Sequence, residues 1–206
     1  MRNPLGSGFR VRGSGGKLFI ISGPSGSGKT TLLEHLLKDK VLKGKLKKSV
    51  SITTRPKRSG ERQGRDYYFL SEADFQRALK AKKILEWTKY LGYYYATPKV
   101  PLRQQLKIGR HLGLCLDFKG AKKIKSFFPK ETVTIFILPP CLDTLKKRIR
   151  GRCHKTGDEE IQKRLKLARQ ELAAAGWYDY SLVNKHLPQT VDALKGIILA
   201  EIKRRV

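Results

Sequence analysis

The chain is poor in cysteine and in acidic side chains, and it has no long apolar run. Its three cysteines, Cys115, Cys141 and Cys153, lie far apart, with no C-x-x-C pair and no ligand-like spacing to His35, His111, His154 or His186. That argues against a structural zinc site or a disulfide framework and favours a reducing, cytoplasmic setting. No apolar stretch approaches the ~20 residues that cross a bilayer, so no membrane partner is expected. Met1–Gly16 carries Arg2, Arg10 and Arg12 among glycines and serines and lacks the apolar segment of a signal peptide; it reads as a mobile basic arm.

Against 17 Asp and Glu stand 45 Lys and Arg, giving a net charge of +28. Such a surplus implies a positive field over much of the surface. It suits either a polyanion partner or a phosphate substrate served by arginines within a solvated lysine coat. The lysines fall in short scattered runs (Lys45–Lys48, Lys80–Lys83, Lys119–Lys125) without interleaved aromatics. Nucleic acid is therefore suggested as a partner by basic composition alone.

What the chain does have is a stretch that organises the rest. Leu18–Ile21 is a short apolar run that ends at Ser22, and Thr31–Leu37 opens as a helix. Between them Gly23-Pro24-Ser25-Gly26-Ser27-Gly28-Lys29-Thr30 fits the P-loop pattern G-x-x-x-x-G-K-[ST] in the strand–loop–helix context that pattern demands. Glycines allow the backbone to curl with positive φ and turn its N–H groups on an anion. The N-terminus of the helix that opens at Thr31 adds its free N–H groups and its dipole. In such a site Lys29 reaches the β- and γ-phosphates and the Thr30 hydroxyl ligates Mg²⁺. The stretch reads as a nucleoside-triphosphate site.

Downstream, Lys38–Lys48 reads as a charged connector broken by Gly44, and Ser49–Thr54 alternates as a strand. Asp66–Leu70 reads as another strand, and Ser71-Glu-Ala-Asp74 resembles a capping box. Ile84–Trp87 and Tyr90–Thr97 look like strand pieces around a turn at Gly92, and Pro101 suits the first turn of a helix to about Ile108. Gly113–Asp117 and Thr132–Leu138 read as buried strands, Lys119–Phe127 and Leu142–Arg150 as helices. Asp158 can cap a helix to Ala175 whose Ile161, Leu165, Ala168 and Leu172 pack inward. Tyr180–Val183 is a last strand, and Thr190 opens a closing helix. Alternating strands and helices predict a parallel sheet covered on both faces. The region from Val50 to Val100 breaks that rhythm and looks like an antiparallel insertion. Ligands are expected at the strand C-terminal ends, near Gly23, Asp117 and Pro139.

The insertion supplies a second anion site. Arg55 and Arg58 flank a tight Pro/Gly loop, Tyr67 and Tyr95 offer hydroxyls, and Ser51 and Thr97 offer short ones. Guanidinium forks suit a phosphate dianion. Glu86 beside Trp87 could accept the ring N–H and amine protons of guanine.

In their order, Ser49-Val-Ser-Ile-Thr-Thr-Arg-Pro-Lys-Arg-Ser-Gly-Glu61, Gly64-Arg-Asp-Tyr67-Tyr-Phe, Glu86-Trp87, Gly92-Tyr-Tyr-Tyr95-Ala-Thr97, Asp117-Phe-Lys-Gly120 and Phe136–Pro140 resemble the guanylate kinases from about Lys17 onward. The resemblance implies an α/β P-loop nucleotide kinase with a central parallel sheet, an inserted mixed α/β GMP-binding subdomain and a helical lid. Its parts would be a core at 17–49, 101–141 and 173–206, a GMP-binding subdomain at 50–100 and a lid at 142–172, behind the arm at 1–16. The implied reaction is ATP and GMP (dGMP also) giving ADP and GDP with Mg²⁺. By the same resemblance Arg55, Arg58, Tyr67 and Tyr95 hold the GMP phosphate, while Ser51, Glu86 and Thr97 read guanine. Arg148, Arg152 and Arg164 match lid arginines over the ATP phosphates, and Asn184 a position near the adenine end. Asp117 matches a carboxylate at the edge of the site. Lys29, Arg58, Arg152 and Arg164 are the catalytic candidates.

Some positions depart from the family. Cys115 stands where a second carboxylate is common, Tyr93-Tyr-Tyr-Ala96 replaces Asn-Tyr-Tyr-Gly, Lys119 replaces Gln, and Lys185-His186 follows Asn184 where acids are usual. Two other readings stay open on sequence: a guanylate-kinase-like protein-interaction module, and a P-loop protein acting on nucleic acid. The oligomeric state is not legible.

Overall fold

A computed structural model describes residues 15–152 and 158–204, without the side chains of Arg152, Asp158 and Glu160. The basic arm before Gly15, Cys153 and His154 lie outside the described residues, as does the capping side chain expected of Asp158. The chain runs β1 (Leu18–Ser22), α1 (Lys29–Lys38), β2 (Leu46–Lys48), β3 (Ser51–Thr53), β4 (Tyr67–Phe69) and α2 (Glu72–Lys80). Next come β5 (Ile84–Tyr90), β6 (Tyr93–Pro98), α3 (Lys99–Lys107), β7 (His111–Cys115), α4 (Phe118–Phe127) and β8 (Thr132–Leu138). Then follow α5 (Leu142–Arg152), α6 (Asp158–Ala173), a 3-10 turn at Ala175–Trp177, β9 (Tyr180–Val183) and α7 (Leu187–Lys203).

β1 sits at the centre of a five-stranded sheet of order β2-β7-β1-β8-β9, parallel throughout. All five of its residues are buried, as a strand covered on both faces must be. Alternation sends Phe19 and Ile21 to a core under α1 and α7, with Leu33, Leu36, Leu194 and Ile198. Leu18 and Ile20 pack on the other face with Leu102, Leu106, Ile124 and Phe136 from α3, α4 and β8. Each such side chain contributes about 1.5–3 kcal/mol on burial. Gly113 on β7 lets α1 approach: a Cβ there would lie 2.5 Å from Leu33 Cδ1.

The Lys38–Lys48 connector is a correction. Its end, Leu46–Lys48, forms the edge strand β2, paired with β7 through Lys48↔Gly113. Only Leu46 of the three is buried, so neither alternation nor an apolar run betrays the strand; lysines are common on such edges.

The insertion is a second sheet of order β4-β3-β6-β5. It is mixed, not antiparallel: β3 pairs antiparallel with β6 but parallel with β4. The Arg/Gly loop from Thr54 to Asp66 is about the dozen residues a parallel return requires. β5 and β6 form the expected hairpin, turning on Leu91 and Gly92 at φ 49° and 86°, the positive values a tight hairpin demands. Ser71 Oγ accepts from Asp74 N, so the cap on α2 forms as read.

α3 opens at Lys99, with Pro101 in its first turn as expected, where a missing N–H costs nothing. Other helix boundaries shift. α7 opens at Leu187, not Thr190, whose hydroxyl donates back to His186 O. α6 ends at Ala173. Its inward stripe packs on α5 through Ile161, Leu165 and Ala168 against Leu145 and Ile149, a cluster separate from the main core. Leu172 alone of the stripe joins the core beneath α4. Among the described residues no helix is long and apolar enough to cross a membrane.

Candidate active site

The loop from Gly23 to Gly28 leaves β1 and enters α1 with Gly23, Gly26 and Gly28 at φ 136°, 90° and 100°. Two of these positions also lack room for a side chain. A Cβ on Gly23 would lie 2.3 Å from Ile137 O, and one on Gly28 would lie 2.3 Å from Asn184 Nδ2. Gly28 caps α1 without a side-chain hydrogen bond, leaving the first-turn amides to an anionic ligand. Lys29 Nζ folds over the loop, donating to Gly23 O at 2.5 Å and Pro24 O at 3.0 Å.

Side chains from the far end of the chain brace this loop. Asn184, 4% exposed, donates through Nδ2 to Ser27 O at 2.8 Å. Its own carbonyl accepts from Arg148 Nη2 on α5 at 3.2 Å. Arg164 on α6 donates to Ser25 Oγ at 3.3 Å. Among the described residues, Ser27 Oγ and Arg148 Nη1 are buried without a hydrogen-bond partner, in a place where a phosphate would supply acceptors.

The insertion builds its own cluster. Arg55, 8% exposed, grips Glu61 through Nη2 at 2.7 and 3.0 Å, and its guanidinium lies 5.7 Å from the Tyr67 ring. Burial works against both charges of this pair, yet the pairing wins: Arg55 is held above and Glu61 below its usual range. Tyr67 and Tyr95 meet edge to face at 6.1 Å. Burial pushes the Tyr67 hydroxyl up to about 12, so it remains a donor. Arg58 stands exposed on the loop with its backbone N–H on Glu61 Oε2 at 2.8 Å.

Deeper in the same sheet, Glu86 (6% exposed) faces Thr97 in register and accepts its hydroxyl. Burial, with the Asp117 carboxylate nearby, pushes Glu86 up to about 7 despite that hydrogen bond. Asp117 itself caps α4, Oδ1 accepting from Gly120 N at 2.8 Å. The loop region and the insertion meet in one small cavity lined by Thr30 from α1, Ser51 and Tyr67 from the insertion, and Cys115 from β7.

The glycine-rich loop and the cationic insertion, with its buried carboxylate, thus border one cavity. The guanylate kinase family profile matches residues 15–201. The chain belongs to the guanylate kinase family. A guanylate kinase of Desulfitobacterium hafniense (strain Y51) is 42% identical over 196 residues, covering 92% of this chain and 94% of that protein. One from Gloeobacter violaceus is 41% identical over 186 residues, 90% of this chain and 88% of that protein. The crystal structure of guanylate kinase from Anaplasma phagocytophilum superposes with a TM-score of 0.77 at 30% identity, covering 94% of this chain and 90% of that one.

Within the guanylate kinase frame, the sequence-predicted residues fall into three groups. Lys29, Ser25, Ser27, Arg148, Arg164 and Asn184 gather on the loop from Gly23 to Thr31. Arg55, Tyr67 and Tyr95 gather on the insertion, as do Glu86 and Thr97, with Ser51 at the junction. Asn184 lies buried under the loop, bonded to its backbone. The side chain of Arg152 lies outside the described residues.

Sequence reasoning missed the work of two acids. Glu61 orders Arg55 from six positions away, a spacing that only the folded Pro/Gly loop makes short. Glu171 sits on α6 between Ala168 and Leu172, close enough to feel the charge of Lys29. Burial, against the pull of Lys29 and with Asp117 adding, pushes its carboxyl up to about 7. Its one visible signal was a carboxylate beside the inward Leu172.

Proposed function

We propose that this guanylate kinase family member transfers the γ-phosphoryl group of ATP to GMP, and to dGMP, in the cytoplasm. Glu86 carries the reading: a buried carboxylate, aligned by Thr97, on an insertion that shares a cavity with Thr30 of the phosphate loop. As an anion it would accept the N1–H and amine protons of guanine, which adenine does not present in that arrangement. Arg55, Arg58, Tyr67 and Tyr95 would hold the acceptor phosphate, with Ser51 and Thr97 completing the nucleoside contacts.

On the donor side, Lys29 would exchange Gly23 O and Pro24 O for phosphate oxygens, a stronger, charge-assisted contact. Arg148 and Arg164, with Arg152, would neutralise the triphosphate from the lid. The glycine cradle, Ser27 Oγ and Arg148 Nη1 fit that ligand. Mg²⁺ held by Thr30 Oγ1 would add charge neutralisation. Phosphoryl transfer asks for placement and electrostatics rather than covalent help, and the acceptor phosphate is itself the nucleophile. Asp117, fixed as a helix cap, would orient ligands at the edge of the site.

The test is a coupled assay of ADP release with ATP, Mg²⁺ and either GMP or AMP. Turnover should depend on GMP; a protein that released ADP equally with AMP, or not at all with GMP, would not be this enzyme.

A further inference from the structure

We propose that Lys48 is an additional phosphate-binding residue of the acceptor site, a role that rests on the GMP reading above. Lys48 ends β2 at the C-terminal edge of the parallel sheet, where ligands of such sheets bind. From there its side chain crosses to the insertion. Nζ donates to Asp66 O at 3.1 Å and lies 5.7 Å from the centre of the Tyr67 ring. The residue lines the cavity that also holds Thr30, Ser51 and Tyr67, so its charge stands between the donor and acceptor groups.

The charges around Lys48 leave it able to exchange ligands. Its hydrogen bond goes to a neutral backbone carbonyl. The Asp66 carboxylate is occupied by Arg65 Nε at 2.9 Å and Arg62 N at 2.8 Å. Glu34 lines the same cavity from α1, but it is an exposed side chain. Cys115, at the cavity wall, is a thiol that burial pushes up to about 11 although Lys29 and Lys48 pull it down. The thiol therefore adds no negative charge to this wall, and Lys48 is the cation that lines it. The cavity holds about 30 Å³, room for one or two oxygen-sized groups. That suits the tip of a phosphate, not a base. A lysine on a flexible stem can swing from the carbonyl to such an oxygen and gain a charge-assisted bond.

The test compares wild type with Lys48→Met, Lys48→Gln and Lys48→Arg. Steady-state assays give kcat and KM for GMP and ATP, calorimetry gives affinities for GMP and guanosine, and thermal melts monitor folding. The Met and Gln variants should raise KM for GMP about tenfold, leave KM for ATP and guanosine affinity near wild type, and recover with Arg. Equal KM for GMP in wild type and both neutral variants overturns the role, as does an equal loss for guanosine. Absence of wild-type turnover on GMP overturns the underlying reading instead.

Discussion

Glu86 and Gly120 are in contact across the junction of insertion and core: a Cβ on Gly120 would lie 2.8 Å from Glu86 Oε2 and 3.2 Å from Asp117 Oδ1. The Glu86 carboxylate is thus seated on a glycine of α4, whose N–H is already taken by Asp117. In the proposed reading, α4 sets the depth of the acceptor site.

Gly120→Ala should displace Glu86. The expected outcome is a rise in KM for GMP of roughly ten- to a hundredfold, matching the loss of one or two hydrogen bonds to a charged group. KM for ATP should stay near wild type. Steady-state kinetics with each substrate varied in turn checks this.

On the proposed role of Glu86, recognition of guanine should depend on pH. Its carboxyl titrates at about 7, because burial and Asp117 disfavour the anion more than Thr97 favours it. Guanosine carries no phosphate to titrate, so its affinity isolates this group. It should rise about tenfold from pH 6 to pH 8 as the acceptor ionises. In Glu86→Gln the profile should be flat. The ligand-free protein shows the reverse sign. A folded-state value above the ordinary 4.5 gives a stabilisation complete below that pH and lost as pH rises through about 7. Melting curves of wild type and Glu86→Gln across that window separate this contribution.

The phosphate loop depends on Asn184 and Gly28 together. Gly28→Ala places a methyl group 2.3 Å from Asn184 Nδ2 at a φ of +100°. It should weaken ATP binding by a hundredfold or so, combining backbone strain with loss of the bond to Ser27 O. Asn184→Ala removes the bond alone and should cost about tenfold. Guanosine affinity should be unchanged in both, which calorimetry can establish.

Lys17, just before β1, pairs with Glu201 on α7 with Nζ–Oε2 at 3.0 Å, and Tyr180 donates to Glu201 Oε1 at 2.8 Å. Both charges are more than nine-tenths buried. Glu201→Ala strands Lys17 and should destabilise the fold by about 3–5 kcal/mol. Turnover per folded molecule should be unaffected, as chemical denaturation and assay together will show.

Much of this was legible because local chemistry forces it. A glycine-rich loop between a buried strand and a helix has few physical solutions, and β1, α1 and the loop between them fall where the spacing puts them. The hairpin around Gly92 was legible for the same reason, since its turn demands positive φ. β2 was hidden because an edge strand with one buried residue leaves no periodicity. The parallel pairing of β3 with β4 was hidden because the chain between them carries no helix to mark a crossover. Asn184, Glu61 and Glu171 bear on the site through contacts far away or folded back, and their spacing says nothing of these partners. The departure at Cys115 could be seen in the sequence, but only the fold places it in one cavity with Lys48.

The most direct test of the account is the ratio of kcat/KM for GMP to that for AMP, measured in wild type and in Glu86→Ala. Wild type should favour GMP strongly. The variant should lose at least about a hundredfold of that preference while its KM for ATP stays in place. An unchanged ratio would contradict the assignment of Glu86 as the group that selects the acceptor.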